Sequence, residues 1–130
     1  QLSSFYNHKF LLGHSAMRIN EGIPRFIINK LNKKYNLKNK TVGVLGLAFK
    51  SETDDIRDSL AIKLLKLLKS RKIKTLQSDE FYKNKDNIDK RDLIKKSDII
   101  ILSTPHQAYK KLKIGKNKIL IDIWGLIDKK

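Results

Sequence analysis

The stretch over residues 41–60, TVGVLGLAFKSETDDIRDSL, leaves this chain few choices of fold. It opens on a β-branched, apolar run bounded by glycine, Thr41, Val42, Gly43, Val44, Leu45 and Gly46, which suits a buried strand. A polar turn follows with one cation, Lys50, and an acidic knot of Glu52, Asp54 and Asp55. The stretch closes on Asp58 and Ser59, whose short side-chain oxygens can accept from the free N–H groups of a helix start. Strand, polar loop and capped helix are the unit of an open α/β sheet. Such sheets gather ligands at the carboxyl ends of their strands.

The rest of the chain repeats the alternation. Ala61, Leu64, Leu65 and Leu68 fall at helical spacing, with Lys63, Lys66 and Lys69 toward the outside, and predict a helix over 59–70. Residues 73–77 read as a second strand ending at Ser78 and Asp79, followed by a polar loop anchored by Phe81 and Tyr82. Asp89 can cap a short helix through Lys96 that buries Leu93 and Ile94. The run DIIILS over 98–103 is continuously apolar, as in a strand covered on both faces. Thr104 and Pro105 end it, 106–112 make a short helix or turn, and KILIDI over 118–123 is the last strand. Before all this, Ala16, Ile19, Ile23, Phe26, Ile27 and Leu31 form a helical stripe, with a kink or fresh start expected at Pro24. Part of that stripe is expected to pack on a partner or on another part of the protein. The predicted class is α/β, a Rossmann-like three-layer parallel sheet with right-handed crossovers and an N-terminal helical lead-in.

Length and composition bound the function. The 130 residues suit one domain, with 40% of them hydrophobic, and no apolar run approaches the ~20 residues a membrane helix needs. The start, QLSSFYNHKF, lacks the plan of a signal peptide and does not begin with Met, which fits a piece of something longer. Without cysteine there is no disulfide or thiolate nucleophile within these residues, which is compatible with a reducing cytoplasm. The formal charge of +16 comes mostly from lysines scattered over faces and loops, so solubility and non-specific contacts are expected of it rather than nucleic-acid recognition. A non-enzymatic basic module that docks on nucleic acid or an acidic partner is the alternative reading.

Several constellations could carry chemistry. The segment 43–48 resembles a worn dinucleotide fingerprint, but the second half of G-x-G-x-x-G is missing, and Glu52, Asp54, Asp55 and Asp58 crowd the helix start where an anion would sit. Arg57 lies among those carboxylates and is expected to brace them as a structural fork, a role favoured over a Mg²⁺ site. Asp79 reads as a turn residue and His106 as a loop histidine, while His8 and His14 have no acidic partner at metal-ligand spacing. Lys50, beside Phe49 at the ligand edge, could reach a sugar hydroxyl, a carboxylate or a phosphate; its bland alternative is a solvated lysine. The residues alone thus reach a small ligand-binding α/β domain.

The string GLAFKSETDDIRDSLAIKLL resembles the C-terminal signature of the UDP-glucose/GDP-mannose dehydrogenase family, G-x-x-F-K-x-x-T-D-D-x-R-x-S. Gly46, Phe49, Lys50, Thr53, Asp54, Asp55, Arg57 and Ser59 match it in order. INEGIPRFIINKL over 19–31 resembles the end of the family's central dimerisation helix, and SDIIILSTPHQAYKKL and ILIDIWGLI its last strands. The resemblance implies a division into 1–38, the tail of that helical region, and 39–130, a UDP-sugar-binding domain. It implies a cytoplasmic, homodimeric, NAD-dependent oxidoreductase of polysaccharide biosynthesis that takes a UDP-sugar to its uronate through a catalytic cysteine. NAD and that cysteine would belong to parts absent here, so the resemblance places no catalytic residue, no metal and no cofactor in these residues. It assigns substrate contact to Phe49, Lys50 and Trp124, and a structural role to Asp54, Asp55, Arg57 and Ser59. Asp122, Ile123 and Trp124 stand where many relatives carry D-G-R, and Asp79, Glu80 and Phe81 where they carry D-P-Y; the first departure fits a different sugar, such as an N-acetylated one, or a different ligand pose.

Overall fold

In the computed structural model, residues 22–123 and residue 126 are described; His8, His14, the apolar positions Ala16 and Ile19, and Trp124 lie outside them. Helix and strand alternate as the periodicity predicts: α1 (Gly22–Tyr35), β1 (Thr41–Leu45), α2 (Leu60–Ser70), β2 (Lys74–Ser78), α3 (Lys90–Lys96), β3 (Ile99–Leu102) and β4 (Ile119–Asp122). Single turns of 3₁₀ helix cover Leu37–Asn39 and Gln107–Tyr109. The four strands pair in parallel in the order β2–β1–β3–β4. The chain therefore runs to one side of β1 and then returns to the other. That reversal is a topological switch point, and it lies between the carboxyl ends of β1 and β3.

Strand alternation divides the core into two layers. Val42 and Val44, with Ile99, Ile101 and Ile121, face α1 and α2, where Ile27, Ile28, Leu31, Leu64 and Leu68 are fully buried. Leu45, Ile100, Leu102 and Leu120 face the other way, toward Leu93 of α3 and Tyr109. Helices thus cover both sides of a sheet whose two inner strands carry almost nothing but aliphatic side chains. Among the described residues no helix is long and apolar enough to cross a membrane.

The caps are local and act as expected. Ser59 accepts from the N–H groups of Ala61 and Ile62 at the start of α2, and Asp89 accepts from that of Arg91 at the start of α3. The predicted second strand is displaced by one residue. Ile73 closes the end of α2 instead: its N–H donates to Leu68 O at 3.0 Å, and that of Lys72 to Lys69 O at 3.0 Å. With Lys72 at φ +60° these bonds form a Schellman turn, built here on lysine rather than glycine.

Candidate functional site

β1 leads into the switch point through Gly46, whose φ of +90° lies in the region that favours glycine. A Cβ there would stand 2.5 Å from Thr104 Cβ and 2.7 Å from its backbone nitrogen, so the backbones after β1 and β3 are in close contact. The next polar groups are satisfied within the chain. The Thr104 hydroxyl donates to Ala48 O at 2.7 Å, and the Ser59 hydroxyl to Leu47 O at 2.6 Å. The N–H groups of Leu47 and Ala48 both donate to Asp79 Oδ1, at 2.6 and 3.4 Å. Gly46 and Phe49 donate to Ser78 O and Asp55 O. A pyrophosphate would need these N–H groups, and a carboxylate of the chain itself already holds two of them. The turn does not fit a dinucleotide.

Asp79 therefore exceeds the turn role expected of it. Its Oδ2 does build the turn, accepting from the N–H groups of Phe81 at 2.8 Å and Tyr82 at 2.7 Å. Its Oδ1 lies 2.9 Å from His106 Nε2, with both side chains fully buried. Burial pushes the Asp79 carboxyl upward, but hydrogen bonds from His106 and from the N–H groups of Tyr82, Leu47 and Phe81 outweigh it and hold the pKa down to about 2.

His106 departs further from expectation. It does lie in the connection after β3, but it is fully buried there, with the rings of Phe81 and Tyr109 edge-on at 4.8 and 5.4 Å. Its Nδ1 accepts the Glu52 N–H at 3.0 Å, which places the ring proton on Nε2, where it is donated to Asp79. The two residues follow the strands on either side of β1, Asp79 directly after β2 and His106 four residues after β3, so their interaction spans the mouth of the sheet. A histidine and an aspartate at the carboxyl ends of two strands is a signal the sequence does carry, but only once the strand order is known.

The loop 49–58 is held chiefly by its own groups. The acidic knot does not converge on Arg57 as expected, because the short loop sends each carboxylate a different way. Arg57 makes a bidentate pair with Asp55 alone, Nε and Nη2 donating at 2.9 and 2.7 Å. That guanidinium holds the Asp55 carboxyl down to about 2, with a smaller contribution from the charge of Lys50. Glu52 Oε2 instead accepts from the Gln107 N–H at 2.8 Å, and Asp58 lies 3.9 Å from Lys63. Asp54 is exposed. Among the described residues no group of histidines and carboxylates is arranged to hold a metal ion. Phe49 is half-buried and Lys50 exposed beside this brace, so the loop presents an aromatic base and a cation next to the switch point. β4 ends with Asp122 buried, its Oδ1 accepting from the Leu126 N–H at 3.0 Å.

The described residues thus define a Rossmann-like α/β unit, with a braced, cation-bearing loop where such folds take ligands. The sequence model of the UDP-glucose/GDP-mannose dehydrogenase family, UDP binding domain, matches residues 43–129, and the chain belongs to that family. UDP-N-acetyl-D-mannosamine dehydrogenase of Pyrococcus horikoshii is 31% identical over 118 residues, covering 82% of this chain and 28% of its own length. UDP-glucose 6-dehydrogenase of Rickettsia conorii is 26% identical over 133 residues, covering 88% of this chain and 31% of its own. Among solved structures, a UDP-glucose dehydrogenase from Pyrobaculum islandicum superposes with a TM-score of 0.66 at 28% identity, over 76% of this chain and 26% of that one. The chain therefore spans less than a third of the length of the relatives it matches.

Proposed function

We propose that this chain is the nucleotide-sugar-binding part of a NAD-dependent nucleotide-sugar 6-dehydrogenase, which oxidises the primary alcohol of a UDP-sugar to a carboxylate. The observation that carries this reading is the Phe49–Lys50 pair, presented at the carboxyl edge of β1 in a chain matched to a UDP binding domain. A lysine there can donate to sugar hydroxyls and complement phosphate charge, and the half-buried ring gives a flat apolar surface beside it. Trp124, just beyond β4 and outside the described residues, is assigned to the same pocket. Asp55, Arg57 and Ser59 serve as braces, in keeping with the hydrogen bonds they make. NAD and the nucleophile that carries the oxidation lie on other parts of the enzyme, in keeping with a β1 turn whose N–H groups are already taken. Pairing of two chains through the lead-in helix and a cytoplasmic location belong to the same proposal.

Calorimetric titration of the 130-residue chain with UDP-glucose, UDP-N-acetyl sugars, GDP-mannose and NAD tests it. A UDP-sugar should bind weakly, since part of the pocket lies elsewhere, and NAD should not bind. Lys50→Ala should weaken UDP-sugar binding by about tenfold, the worth of one hydrogen bond from a charged donor. NAD binding without nucleotide-sugar binding would sink the proposal, and unchanged affinity in Lys50→Ala would return that residue to the solvated surface.

A further inference from the structure

The loop carrying Phe49 and Lys50 must turn through Glu52, whose φ of +60° is strained for a residue with a Cβ. Two groups reaching across from the far side of β1 hold it there. His106 Nδ1 accepts the Glu52 N–H, and the Gln107 N–H donates to Glu52 Oε2. His106 is held in turn by Asp79, and the same Asp79 oxygen takes the Leu47 N–H where the loop begins. One buried pair therefore holds the chain just before Phe49 and Lys50, at Leu47, and just after them, at Glu52.

We propose that Asp79 and His106 are positioning residues for the sugar-nucleotide site: Asp79 fixes the tautomer and orientation of His106, and His106 holds the Glu52 N–H so that Lys50 meets the ligand. The proposal rests on the reading that Lys50 contacts the nucleotide sugar. Its bland rival is a buried histidine that serves only the core. The two ring nitrogens separate these, because each can be mimicked alone. In His106→Asn the amide oxygen can stand near the place of Nδ1 and keep the acceptor for Glu52, while the bond to Asp79 is lost. In His106→Gln the amide reaches the place of Nε2 and keeps the bond to Asp79, while Glu52 loses its acceptor. Both variants remove the ring and lose stability; a purely structural role predicts no difference between them in binding.

In the 130-residue chain, amide hydrogen exchange by NMR should find the Glu52 N–H protected in the parent and in His106→Asn, and exchanging freely in His106→Gln. UDP-glucose affinity should fall by about tenfold in His106→Gln and stay within about 1.5-fold in His106→Asn. Equal weakening in both variants, or a Glu52 amide equally protected in all three chains, overturns the proposal. Should the histidine variants fail to fold, Gln107→Pro decides. It deletes the N–H that grips Glu52 Oε2 together with an exposed side-chain amide, at the first position of a 3₁₀ turn where proline is tolerated and His106 already has the extended backbone proline needs. Its UDP-glucose affinity should fall about threefold with the fold intact, and an unchanged affinity overturns the clamp. A parent chain with a protected Glu52 amide but no UDP-sugar binding sinks the reading of Lys50, and the clamp is then judged on amide exchange alone.

Discussion

Burying a carboxylate among aliphatic strands costs several kcal/mol unless its lone pairs are filled. Asp79 fills them with four backbone N–H groups, those of Leu47, Ala48, Phe81 and Tyr82, and with His106 Nε2. Asp79→Asn should therefore cost roughly 2–4 kcal/mol, because one amide face must turn N–H groups toward N–H groups. The same bonds set an acid limb. With its folded pKa held at about 2 against an ordinary 3.8, Asp79 contributes stability that is fully present above the ordinary value and lost as pH falls from there through about 2. The shift is worth about 2 kcal/mol, and urea unfolding across that window should show a shallower acid limb in Asp79→Asn than in the parent. Asp55 titrates over the same range, but it is exposed and solvent-screened, so Asp55→Asn should leave the limb nearly unchanged. The sequence made half of this residue legible. Its turn to Phe81 and Tyr82 is local, whereas its partners Leu47 and His106 lie 32 and 27 residues away. Ser59 was legible as a helix cap because Ala61 and Ile62 are its immediate neighbours, while its bond to Leu47 O reaches back 12 residues.

At the scale of elements, the close approach of α3 to β1 depends on a glycine. A Cβ on Gly43 would stand 2.3 Å from Ser97 Oγ and 2.6 Å from Leu93 Cδ2, both on residues buried beneath the sheet. Gly43→Ala should force α3 outward or its side chains off their rotamers, costing about 1–3 kcal/mol in chemical denaturation. Ser97 offers a control, since its hydroxyl is buried without a hydrogen-bond partner. Ser97→Ala alone should be neutral or slightly stabilising, and in the double variant it should recover part of the Gly43→Ala loss. Additive effects in that cycle would mean that Leu93, not Ser97, sets the spacing. The sequence marks Gly43 as an interruption of a β-branched run but does not say which face needs it empty. Strands and helices themselves were legible, because periodicity and caps are carried by near neighbours. The start of β2 was not, because Ile73 is apolar enough for a strand yet its N–H is drawn back to Leu68 by the Schellman turn.

Across the whole molecule, the lead-in helix and the sheet share one core. Ile27, Ile28 and Leu31 of α1 are fully buried in the cluster that holds Val42, Val44, Leu64 and Ile101. Leu37, after the helix, is buried with them and donates its N–H to Asn32 Oδ1 at 2.9 Å. Each such aliphatic side chain contributes about 1.5–3 kcal/mol by leaving water, and the entropy of ordering the helix offsets part of that sum. What remains is a sizeable share of the 5–15 kcal/mol typical of a small domain. A chain of residues 39–130 alone, the division the family resemblance implies, should then unfold at markedly lower urea than the 130-residue chain. It should also bind a hydrophobic dye through the uncovered faces of Leu64 and Leu68. Coincident unfolding curves for the two chains, with no dye binding by the shorter one, would make α1 a separate unit. In that case the loop that presents Lys50 would owe none of its rigidity to α1, although α1 shares a face of the sheet with α2, into which that loop runs.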